Sequence, residues 1–183
     1  MFTRRGILGV GMAGLGSGLM GCVTTQPGGE GWRVGNRIPD IALHNAEGAT
    51  VRLSDYSDRA LLFYIGGYWC IHCRNDMPAL AEVWRELRHD PRIAFAVMSY
   101  AEHPETTRQW LNNNMGLRFP VLHPPTRGSR VPLVNGSNTA FAAPTVYILT
   151  AGNIIHYWHV GSGRAQNYRP KLLEAAAVIP PRA

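Results

Sequence analysis

The chain has 183 residues, 45% of them hydrophobic, and a formal charge of +6 at pH 7. That length supports one well-buried core and argues against two full-sized domains. The eighteen Lys and Arg residues are scattered and never form a basic arm, which excludes nucleic acid as the expected partner, and three cysteines are too few for a disulfide-stapled miniprotein.

Residues 1–21 read as a signal peptide. Arg4 and Arg5 precede an apolar stretch, Gly6 to Gly21, that holds seven glycines and no charge. At about 1.5 Å per residue this stretch falls short of the roughly 30 Å hydrocarbon core, and glycine weakens helices, so a membrane-spanning helix is the lesser reading. Leu19-Met20-Gly21-Cys22 resembles the lipobox of bacterial lipoproteins, in which cleavage precedes the cysteine and its sulfur receives a diacylglycerol. Thr3-Arg4-Arg5-Gly6-Ile7-Leu8 resembles a twin-arginine export signal. Together these resemblances imply an exported protein on the periplasmic face of a bacterial membrane, lipid-anchored at Cys22, with several acyl chains giving the stable attachment that one chain alone does not. Residues 22–35, with Pro27, Gly28, Gly29 and Gly31, have the composition of a flexible linker, and residues 36–183 are expected to form the folded domain.

Within that domain, Ile38–Leu43 and Thr50–Leu53 are short extended runs around Asn45-Ala46-Glu47-Gly48 and predict a hairpin. Ala60–Ile65 is a continuous apolar run of strand length, suited to a buried central strand, and it ends at Gly66-Gly67, where the chain can turn tightly. From Ile71 to Arg88, Met77, Leu80, Ala81, Trp84 and Leu87 recur at helical spacing. Ile93–Met98 predicts a second buried strand and Glu105–Asn114 a second helix that stops at Gly116. Phe119–Leu122 is short and extended. Thr145–Leu149 and Asn153–Val160 predict a hairpin around Thr150-Ala151-Gly152, and a last helix runs from Tyr168 to Val178 with Pro170 in its first turn. This order is α/β, with a parallel pair first and an antiparallel edge after it.

The chemistry concentrates at Trp69-Cys70-Ile71-His72-Cys73. Leaving a buried strand, turning at the glycines and entering a helix puts Cys70 at the helix N-terminus and Cys73 one turn on, close enough for a disulfide. Unpaired N–H groups and the positive helix end favour a thiolate at Cys70, the nucleophile; Cys73 is placed to attack the mixed disulfide and release the substrate. An imidazole at His72 can donate to or carry positive charge beside Cys70, stabilising the reduced form. No bound cofactor is needed, since the redox group is the Cys70–Cys73 pair itself. A structural zinc site would need four ligands, and His156 and His159, three apart on a strand, are expected to face opposite sides. No metal is therefore expected. A purely structural disulfide here would close too small a loop to constrain the unfolded chain much.

The chain resembles the thioredoxin-like thiol-disulfide oxidoreductases of the TlpA and ResA type over about Asn36 to Val178. The likeness rests on Gly35-Asn36-Arg37-Ile38-Pro39-Asp40, Leu53-Ser54-Asp55, the Trp69–Cys73 motif and Met77-Pro78. It implies a thioredoxin-like fold, a central mixed β-sheet flanked by helices with an N-terminal β-hairpin extension. It also implies that Ala142-Ala143-Pro144-Thr145 is the cis-proline loop, with Pro144 facing the cysteines beside Trp69 and with Ala143 and Thr145 pairing with substrate backbone. Tyr64 stands where thioredoxin has a buried aspartate, so a proton acceptor must come from elsewhere, and Glu102 matches a family glutamate by position. Between Leu122 and Ala143 the resemblance lapses. The implied partners are client proteins with thiols or disulfides. As a reductant, serving apocytochromes or other clients, the chain would require a membrane electron donor; as an oxidant it would introduce disulfides. A copper or zinc chaperone using the same cysteines is the alternative from another class. A peroxidase is disfavoured because no Pro-x-x-x-Thr-x-x-Cys segment is present.

Overall fold

The computed structural model describes residues 33–99, 103–124 and 143–180. The leader, Cys22, most of the linker, Glu102 and the 125–142 segment lie outside the described residues.

The N-terminal hairpin forms, with β1 (Ala42–His44) and β2 (Thr50–Arg52) antiparallel and His44 opposite Thr50. Asn45 closes the turn by accepting the N–H groups of Glu47 and Ala49 at 3.1 and 2.8 Å, the local bonding that suits asparagine to turns. A hairpin of three-residue strands is marginal alone. Complete burial of Leu43 and of Leu53, just beyond β2, contributes about 1.5–3 kcal/mol each and ties it down.

The two continuous apolar runs are β3 (Ala60–Ile65) and β4 (Ile93–Met98), buried at every position as parallel strands covered on both faces must be. β5 (Val121–Leu122) joins β4 in parallel, β6 (Thr145–Thr150) runs antiparallel to β3, and β7 (Ile154–Val160) runs antiparallel to β6. The spatial order β5-β4-β3-β6-β7 is the central mixed sheet expected from the sequence. Three helices accompany it: α1 (Ile71–Leu87), α2 (Pro104–Met115) and α3 (Tyr168–Ala177). Pro104 opens α2 at a position where a missing N–H costs nothing, and Gly116 ends it at φ 64°, a left-handed conformation natural to glycine.

Strand alternation divides the core into two layers. Leu62, Tyr64, Phe95, Val97, Val146 and Ile148 pack with α1 and α3, through Cys73, Met77, Leu80, Tyr168 and Leu172. Leu61, Phe63, Ile65, Ala96, Tyr147 and Leu149 face the other way, under Ile38, Leu43, Leu53 and Tyr56. The N-terminal extension thus caps one face of the sheet while α1 and α3 cover the other.

One expectation about β7 fails. The pairing of β6 with β7 shifts between Ile148 and Leu149, a β-bulge at His156. The extra residue breaks the strict two-residue alternation. His156 and His159 therefore both turn toward α3, His156 to Glu174 at 3.0 Å and His159 onto the Tyr168 ring. No cluster of three or more potential metal ligands occurs among the described residues.

Candidate functional site

β3 ends at Ile65, the chain turns through Gly66 to Trp69, and Cys70 becomes the N-cap of α1 with extended backbone (φ −89°, ψ 115°). Its sulfur accepts the N–H of Cys73 at 3.3 Å, filling the place that a serine or aspartate oxygen takes at most helix starts. A negative sulfur is best supported at such a point, where unpaired N–H groups and the helix dipole converge. Both cysteines are free thiols and both are buried, Cys70 at 7% exposure and Cys73 at 0%. Around the sulfurs, Trp69 and Ile71 are exposed at 42% and 54%.

The loop before β6 closes the other side. Ala143-Pro144 is a cis peptide, as the sequence resemblance implied, and the Ala143 carbonyl lies 3.5 Å from the Cys70 sulfur. Thr145 is fully buried at the start of β6, close to that carbonyl in sequence. Beyond β7, Gly161 and Gly163 adopt positive φ of 91° and 88°, letting the chain double back onto α1. Gly161 N–H bonds the Pro144 carbonyl at 2.8 Å, Ser162 Oγ lies 3.4 Å from His72 Nδ1, and Gly163 N–H donates to Asp76 Oδ1 at 3.2 Å. One short loop thus touches the cis-proline segment, His72 and the first turns of α1.

Behind Cys73 the packing is polar as well as tight. Burial pushes the Cys73 thiol up to about 12, helped by the adjoining Cys70. Tyr64 sits against it with a hydroxyl that has no conventional hydrogen-bond partner, and burial raises that phenol well above its ordinary value. Asp76, 3% exposed, follows Cys73 by three residues and so lies on the same helix face. Its Oδ2 accepts the Tyr168 hydroxyl at 2.9 Å, and burial keeps that phenol protonated.

The AhpC/TSA family model matches residues 34–158. The chain belongs to the AhpC/TSA family. It is 26% identical over 142 residues to the thioredoxin-like protein YneN of Bacillus subtilis, covering 78% of this chain and 80% of that one. It is 27% identical over 89 residues to the thiol-disulfide oxidoreductase ResA of Geobacillus thermodenitrificans, covering 49% of this chain and 50% of ResA. The fold is shared with a secreted thiol-disulfide isomerase from Corynebacterium glutamicum, at a TM-score of 0.65 and 19% identity over 80% of this chain and 90% of that one. It is shared too with a thiol:disulfide interchange protein from Chlorobium tepidum, at a TM-score of 0.61 and 15% identity over 79% of this chain and 98% of that one. Thiol-disulfide oxidoreductase is the enzyme class that goes with this AhpC/TSA chain, its relatives and its thioredoxin-like fold.

Of the residues singled out in the sequence, Cys70, Cys73, Trp69, His72, Ala143, Pro144 and Thr145 gather at one end of the sheet, whereas Glu102 and Cys22 lie outside the described residues. Sequence reasoning misses Asp76. Its signal is nevertheless present there: an acid three residues after Cys73, on the apolar side of a helix whose other members at that face are Met77 and Leu80.

Two expected outcomes follow from this packing. A Cβ on Gly66 would stand 2.7 Å from the Cys73 sulfur and 2.9 Å from the Tyr64 ring, both wholly buried. Gly66→Ala should therefore destabilise the reduced protein by about 1–3 kcal/mol, the usual cost of overpacking, read by urea unfolding under reducing conditions. His72→Ala should lower the reduction potential of the couple by up to about 30 mV, the equivalent of about 1.4 kcal/mol of lost support for the reduced form. Equilibration with glutathione at fixed pH measures it, and an unchanged potential would make His72 a bystander.

Proposed function

We propose that the chain is an exported, lipid-anchored enzyme that exchanges thiols and disulfides of client proteins outside the cytoplasm through Cys70 and Cys73. The observation that carries this reading is the Cys70 sulfur, capped by the Cys73 N–H at the start of α1 and faced at 3.5 Å by the carbonyl of the cis-proline loop.

In the reducing direction, Cys70 thiolate attacks one sulfur of a client disulfide, forming a mixed disulfide and expelling the other client sulfur as a thiolate, which takes a proton from solvent. Cys73 then attacks the Cys70 sulfur, its proton passing to the Asp76 carboxylate. The Cys70–Cys73 disulfide forms, the second client thiolate leaves, and two electrons have moved from the chain to the client. In reverse, the same steps oxidise a client dithiol. Exposed Trp69 and Ile71 supply apolar contact for the client, and the backbone of Ala143, in the loop before β6, supplies its hydrogen-bonding edge. A membrane donor would restore the dithiol, and apocytochromes are among the clients that the likeness to ResA suggests. Anchorage rests on the leader and Cys22; no helix of the described residues is long and apolar enough to cross a membrane.

Turnover of a disulfide-bonded protein with a small dithiol as electron source tests the exchange, run with and without copper or zinc. Steady turnover without metal is expected; tight metal binding with negligible turnover would instead identify a metal chaperone. Mass spectrometry of the mature N-terminus is expected to find lipid on Cys22, and a chain retaining residues 1–21 unmodified would end the anchor proposal.

A further inference from the structure

His159, in β7, is 5% exposed, yet neither ring nitrogen has a hydrogen-bond partner. A neutral imidazole carries one donor and one acceptor, and leaving both unmet in a buried place is costly, so packing alone would favour phenylalanine here. The ring is sandwiched rather than bonded. Tyr168 of α3 stacks on it at 5.7 Å and 24°, and Tyr157 of β7 leans on it at 5.6 Å and 52°. Opposite it in β6 stands apolar Val146.

Three further groups act on it. Asp76 of α1 favours the protonated ring, and the Gly161 backbone does so without reaching ordinary bonding geometry; Arg164, after the glycine loop, opposes it. Burial, with Arg164 acting in the same direction, outweighs Asp76 and Gly161 and holds the ring toward its neutral form. The Tyr168 that stacks on His159 is also the donor to Asp76. Tyr168 therefore touches both a buried carboxyl and a buried imidazole, and that carboxyl sits three residues beyond Cys73 on α1.

We propose that His159 and Asp76 hold one proton in common, so that His159, without touching either sulfur, governs when the carboxylate is free to serve Cys73. It is a positioning residue for charge. When the cluster is empty of that proton, Asp76 is an ionised carboxylate, held by Tyr168 and the Gly163 N–H, that can accept from Cys73. When His159 has taken the proton, Asp76 faces a cation and is a weaker acceptor. Removing the imidazole removes one of the two places where the proton can sit, so acid must go further to silence Asp76. The inference rests on Asp76 as the proton acceptor in the proposed cycle.

The test is the rate at which Cys73 resolves a preformed Cys70 mixed disulfide, followed from about pH 4.5 to 8, in the full chain and in His159→Phe, His159→Gln and Asp76→Asn. The acid limb should move to lower pH by about half a unit or more, in the manner of a lost titrating partner, in both His159 variants, with the plateau within about threefold of wild type. A lowered plateau with an unmoved limb would mean that His159 only packs, and would overturn the inference. If Asp76→Asn collapses the plateau while both His159 variants keep the wild-type limb, only this inference falls. An Asp76→Asn plateau at the wild-type level would overturn the Asp76 reading and this one with it. Ring NMR of His159 needs no substitution at that position: its titration should move to lower pH in Asp76→Asn, and coincident curves would overturn the coupling.

Discussion

Cys70→Ser should abolish exchange, and Cys73→Ser should still attack clients and then accumulate them as mixed disulfides. The asymmetry follows from where each sulfur sits. Cys70 caps α1, accepts a backbone N–H and borders the exposed Trp69 and Ile71, so a client sulfur can reach it. Cys73 has no exposed surface, and its thiol is held up at about 12, so at neutral pH about one molecule in 10⁵ carries it as a thiolate. It cannot begin the reaction; it can only finish it. Non-reducing electrophoresis of the two variants incubated with a disulfide client reads the outcome directly. Covalent complexes formed by Cys70→Ser rather than by Cys73→Ser would reverse the roles.

Asp76→Asn should slow the second step by about 100-fold or more, the range general-base assistance usually contributes. The amide keeps the shape, so Tyr168 can still donate to its oxygen, but its NH₂ group then meets the Gly163 N–H, and that bond is lost. The sign with pH distinguishes a lost base from a distorted site. With no carboxylate, Cys73 must ionise unaided, and because burial raises its thiol the resolving rate should climb with pH, about tenfold per unit for as long as the thiol stays protonated. A variant that is slow at every pH by the same factor would point to misplacement of α1 instead. Stopped-flow release of a labelled client from the Cys70 mixed disulfide measures both.

These two outcomes depend on the sequence to different degrees. The role proposed for Cys70 is legible from the residues alone, because a buried strand, two glycines and an amphipathic helix leave a cysteine at the helix start. The role of Asp76 is not. An acid on the apolar stripe of α1 stands out, but the groups that hold it, Tyr168 from α3 and the Gly163 N–H from the loop after β7, lie about ninety residues further along the chain. Glu102, expected by position to manage protons, lies outside the described residues.

The sequence by itself determined the element order and the ends of most elements. Strands buried on both faces must be continuous apolar runs, and Ala60–Ile65 and Ile93–Met98 have that character throughout; Gly66-Gly67, Gly116 and Pro104 punctuate where backbone sterics demand it. It also singled out the pair on which the proposed exchange rests, since two thiols three residues apart at a helix start carry their chemistry locally. Only the tertiary structure decided what surrounds that pair. Strand parity misplaced His156 because a bulge in β7 adds one residue, a feature fixed by pairing with β6 and not by the residues of β7 alone. The buried set of Tyr64, Asp76, His159 and Tyr168 comes from four separate elements, and none of them signals its neighbours in sequence. Desolvation and proximity create their properties, and both arise only when β3, α1, β7 and α3 close over one another.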